Sequence, residues 1–136
     1  MKELYRRCRD LPKESKLRLI KALQESIAEE EREDDDARFE VLYKAAVDVC
    51  GKGILTRIRD RELAIGRWMI SYKMRQEGFS LSVIARHLHR HHASIIHGIR
   101  MMQDAFDFKF KEEMALWERF IKKVEEYEKE ISSAVV

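Results

Sequence analysis

Residues that break helices are almost missing from this chain. Its 136 residues include one proline and five glycines, and its β-branched residues form no alternating runs. Long unbroken stretches with apolar residues every three or four positions can bury a continuous face only as helices. The pattern predicts an all-α protein, a helical bundle with long flanking N- and C-terminal helices. A 45% hydrophobic content is enough for a core, and the 38% charged content predicts heavily solvated helix faces.

The breakers that do occur divide the chain. Asp10 before Leu11-Pro12 suits a helix start, since proline is tolerated in a first turn. Leu17, Ile20, Leu23 and Ile27 then share one face. The acidic run Glu29–Asp36 opposes the macrodipole if a helix ends there; it reads equally well as a frayed hinge and as a solvated helix face. A second helix is expected over 37–50, burying Phe39, Leu42, Ala46 and Val49 and stopped by Gly51 and Gly53. A third covers 62–76, with Leu63, Trp68, Ile70, Tyr72 and Met74 available to the core. Ser80 caps a short helix over 81–88. Another follows from about His92 to Ala105, with Ile95, Ile99 and Met102 facing inward. The last places Phe110, Met114, Trp117, Ile121, Val124 and Ile131 on a heptad-like seam. The resulting division is an N-terminal arm (1–36), a central domain (37–105) and a C-terminal amphipathic helix (106–136).

Charge is as uneven as the breakers. Residues 52–101 hold ten lysines and arginines against three acids, a net of +7, while the flanks carry −2 and −3. All five histidines lie in the same block. A local excess of this kind is the footprint of a polyanion-binding surface.

Other functions find little support in the sequence. The charged N-terminus has no apolar signal region, and no stretch is apolar enough for a membrane span. Cys8 and Cys50 read as free thiols, which points to a reducing, cytoplasmic compartment. No nucleophile–base pair, paired-carboxylate motif or cofactor loop is evident, so neither enzymatic activity nor a cofactor is expected. The His87/His91 and His89/His92 spacings would suit a metal only on an unbroken helix, and no metal site is expected. Histidine protonation near pH ~6.5 is instead expected to add cations and make polyanion binding pH-dependent.

Two short helices joined by a tight break at His89-Arg90-His91 read as a helix-turn-helix. Ala85 is small where the helices cross, and Leu88 and Ile95 are apolar where they share a core. The second helix would expose His91, His92, Ala93, Ser94, His97 and Arg100 along its start and outer face. His97 is at the same time expected to be partly buried beneath that helix. Here the sequence resembles a known family. Arg61-Glu-Leu-Ala-Ile-Gly-Arg67, Tyr72, Ser80-Leu81, Ile84, Arg90, His92, Ser94-Ile95 and His97 together resemble the C-terminal DNA-binding domain of the bacterial replication initiator DnaA, a Trp-repressor-like helix-turn-helix. The resemblance covers about residues 37–105, with one-residue deletions before Ser80 and near His89. It implies sequence-specific binding of double-stranded DNA in control of replication or transcription, with the arginine matching Arg67 in a minor groove. The family's turn glycine, Asp and first Thr fall at His89, His91 and Ala93, which implies a different base preference. No phosphate loop of the family's ATPase domain is present.

The chemistry of the residues agrees with that expectation. Arg57, Arg59 and Arg61 precede Arg67 and are placed to approach phosphates. Arg67 has no acidic residue four positions away. Arg90 and the Ser80 hydroxyl sit beside the turn. His91, His92 and Ser94 can bond base edges, and Ala93 can touch a thymine methyl. Two further expectations concern proteins as partners. One is a homodimer through the terminal helices. The other, an alternative to DNA binding, is a helical interaction module in which the C-terminal seam is the working surface and the basic block meets an acidic protein.

Overall fold

The computed structural model describes residues 13–135, with side chains at 17–26 and 32–133. Among them all regular structure is helical. Five helices follow in order: α1 (Lys13–Cys50), α2 (Arg61–Gln76), α3 (Leu81–Leu88), α4 (His92–Phe108) and α5 (Lys111–Val135). The helix start expected behind Asp10, the Cys8 thiol and the Ile27 side chain lie outside the described residues. No described helix is long and apolar enough to cross a membrane.

The residues form two compact units, one ending at Asp35 and the other beginning at Asp36. The backbone is helical through Glu29–Asp36, and no helix begins at Ala37. Of the two readings of the acidic run, the helix face is the one found, and the hinge reading assumed that a helix ends there. It ends instead at Cys50, two turns beyond the buried Leu42, so the carboxylates sit mid-helix and clear of the C-terminal dipole.

In the second unit, α1 buries Phe39, Leu42, Ala46 and Val49 as its periodicity predicts, together with Val41, Ala45 and Cys50. Burial, then the nearby Glu62 charge, pushes the Cys50 thiol up to about 11. Gly51 adopts φ 109°, which ends the helix. Asp60 caps α2, its carboxylate accepting from the Glu62 and Leu63 amides. Arg38 joins three segments of this unit, bonding Glu77 at 2.5 Å and Glu128 at 2.8 Å. In α2, Leu63, Ile70 and Met74 are buried, with Ile65 and Met69 beside them, while Trp68 and Tyr72 are only half-buried. Ile84, Ala85 and Leu88 of α3 and Ile95 and Met102 of α4 complete that side of the core.

The last two helices differ from the expected pattern. α4 continues past Ala105 to Phe108 and ends at Lys109 in the left-handed region. α5 therefore starts only at Lys111, and its buried face is rotated by about one position. Glu113, Leu116, Phe120 and Val124 are covered, while Phe110 and Ile131 are exposed. The seam expected as a working surface is thus spent largely on the unit's own core.

Candidate nucleic-acid interface

The interface is assembled around a three-residue connection. Ser80 caps α3, its hydroxyl accepting from the Val83 amide at 3.2 Å. α3 closes on His89, which takes φ 54°, ψ 43°. The left-handed turn lets the Arg90 amide reach the Ala85 carbonyl and brings α4 back across α2. His91 then caps α4, its Nδ1 accepting from the Ala93 amide at 3.1 Å.

α4 lies very close to α2 where Gly98 meets Trp68. Between these helices, the turn and the preceding loop opens a groove of about 640 Å³. Arg59, Arg67, Arg90, Ala93, Ser94 and His97 line it, together with Ala64, Trp68, Ser71 and Ile95. Arg67 is half-buried and donates from Nη1 to the Ile54 carbonyl at 3.0 Å. Arg90 donates from Nη2 to the Thr56 carbonyl. Both guanidinium groups are thus propped by one loop, itself held by the Thr56 hydroxyl donating to the Gly53 carbonyl at 2.6 Å. Burial and then the charge of Arg90 lower the pKa of Arg67. Among the described residues no carboxylate pairs with Arg59, Arg67 or Arg90. Two cations that repel each other beside an apolar wall, with no anion of their own, make a site that an external anion would relieve.

No family model, curated protein or solved structure matches this chain. The reading of the interface rests on its geometry and chemistry.

The groove gathers six of the twelve residues singled out in the sequence. His92 and Arg57 are exposed, as are Arg100 and Ser80, but they stand outside its lining. Arg61 departs furthest from expectation. It turns to the start of α5, bonding Glu112 at 3.0 Å and the buried Glu113 at 2.5 Å, and is committed to the fold. His97 is exposed rather than partly buried, set edge-on to Trp68 with centroids 5.9 Å apart. The close crossing leaves no room for its ring beneath α4. His87 turns to the core instead of toward His91. Its ring nitrogens contact the Val83 carbonyl at 2.9 Å and the Asp36 carboxylate at 2.6 Å, so neither is free for a metal. Trp68 is the wall residue that sequence reasoning assigned to the core. Its helical position is ambiguous, and only the small Gly98 opposite hints that the ring lies at a crossing.

Proposed function

We propose that this chain binds double-stranded DNA, with α3 and α4 acting as a helix-turn-helix and α4 entering the major groove. The observation that carries the reading is the convergence of Arg67 and Arg90, without carboxylate partners, beside the exposed start of α4. Arg59, Arg67 and Arg90 would take backbone phosphates, with Arg67 deep enough to follow a narrow minor groove. His91, His92, Ala93 and Ser94 are exposed where base edges would pass. The resemblance to the DnaA C-terminal domain supports the same arrangement and a role in replication or transcription control. The departures at His91 and Ala93 imply a base preference of this chain's own.

With Arg61 removed from the set, about five cations remain for phosphates: the three in the groove plus Arg57 and Arg100. The log–log salt dependence of binding should then have a slope of roughly −4.5. Selection from a random duplex pool, followed by anisotropy titrations over salt, tests the reading directly. A recovered motif with a steep slope supports it. No motif and no affinity above that for heparin would remove it in favour of a general polyanion or acidic-protein surface.

A further inference from the structure

The first unit carries an apolar face that its own residues leave open. Leu17, Ile20 and Leu23 are 60%, 48% and 44% exposed on a helical segment whose other described side chains are also exposed. A step of four in the sequence then reaches Ile27, so the apolar positions keep to one side of a helical repeat. A segment of 23 residues, about 35 Å long, gains most of its stability from covering such a stripe.

The charges flanking the stripe say what fits it. Residues 13–24 hold Lys13, Lys16, Arg18 and Lys21 against one acid, Glu14, a net of +3. Residues 25–35 hold seven acids against Arg32, a net of −6. The helix is therefore basic in its first half and acidic in its second. A parallel copy would set like charge against like along its whole length. An antiparallel copy sets each basic half against an acidic half, and the apolar residues keep register: Leu17 faces Ile27, and Ile20 lies across from Leu23 and Gln24, about a centre at Ala22.

We infer that residues 13–35 form an antiparallel self-pairing helix, so that the chain assembles as a homodimer through its N-terminal segment. This inference stands independently of DNA binding. Charge complementarity sets the orientation and the burial of leucine and isoleucine supplies the attraction. A dimer of this kind would present two copies of the Arg67–Arg90 groove.

Sedimentation equilibrium of the full chain tests the pairing. The expected mass is twice 16.2 kDa, and added salt should weaken association. Lys16→Glu with Lys21→Glu should raise the dimer dissociation constant on the order of tenfold or more. Ile20→Asp with Leu23→Asp should abolish it, while the unfolding transition of the core stays unchanged, because neither residue belongs to that core. Orientation is read from disulfide trapping in a Cys8→Ser background. Mixed Leu17→Cys and Ile27→Cys chains should cross-link to each other, and neither should cross-link alone. A monomeric mass at the highest concentration reached would overturn the inference. Self-linking of Leu17→Cys, or association strengthened by salt, would overturn the antiparallel arrangement.

Discussion

Gly98 of α4 lies against Trp68 of α2 so closely that a Cβ there would stand 2.7 Å from the indole Cδ1 and 3.3 Å from the Trp68 Cα. The ring edge could rotate away, but the backbone contact could not. Alanine at this position would gain about 1 kcal/mol in helix propensity. The forced separation of the helices should outweigh that gain. Gly98→Ala is expected to lower stability by about 1–2 kcal/mol net in urea denaturation. It should also weaken DNA binding, because Trp68 forms one wall of the groove and Ser94 and His97 ride on the same helix. Unchanged stability would mean that the two helices can part freely.

Two arginines six residues apart on α2 should behave in opposite ways. Arg67→Ala removes an unpaired cation from the groove. It should weaken binding to every duplex and flatten the salt slope by about 0.9. Arg61→Ala instead strands the Glu113 carboxylate, which is 4% exposed, and should lower stability with the slope unchanged. Anisotropy titrations paired with denaturation curves on both variants separate the roles. If Arg61→Ala flattens the slope and Arg67→Ala does not, the assignment of the groove is reversed.

Specificity should come from the exposed start of α4. Ser94→Ala and His92→Ala each remove a hydrogen-bonding group that would face base edges. Each should change the preferred sequence while altering nonspecific affinity by less than about twofold, a loss of about 1–3 kcal/mol being confined to individual base pairs. Repeating the selection with each variant checks this. An identical motif from both would place base reading elsewhere.

What could be read in advance follows from how local each signal is. The Ser80 cap and the buried positions of α1 and α3 depend on neighbours within one or two turns, and the breakers fix their register. The face of α5 differs by one position from the expected seam, and the helix before it closes on Lys109 in the left-handed region, where glycine is usual. Lys109 gives no sequence warning, so α4 ran longer than its pattern suggested. The partners of Arg61 lie 51 and 52 positions away, and no spacing rule reaches that far. The groove was visible as a cluster of arginines, but which of them stay unpaired is decided only by tertiary placement.

His89 carries a backbone conformation that favours glycine. A side chain in the left-handed region costs about 1 kcal/mol, and His89 is exposed. His89→Gly is therefore expected to stabilise the protein by up to about 1 kcal/mol, despite the greater freedom glycine gives the unfolded chain. Chemical denaturation measures the difference, and a loss of stability would mean that the imidazole contributes more than its strain costs.

Tyr127 of α5 donates its hydroxyl to the Asp48 carboxylate of α1. That hydrogen bond, reinforced by burial and by the carboxylate charge, pushes the phenol up to about 12. The folded state therefore holds this proton more tightly than the unfolded chain, whose tyrosines titrate near ~10. The associated stability is fully present below about pH 10 and is lost as pH rises through about 12. Over that window the wild-type protein should lose stability relative to Tyr127→Phe, which lacks the ionisable group and the bond. Spectrophotometric titration should show the same residue as a late-ionising phase that vanishes in the variant. If the late phase remains in Tyr127→Phe, the delayed ionisation belongs to another of the four tyrosines and the tie between α1 and α5 is not made through this hydroxyl.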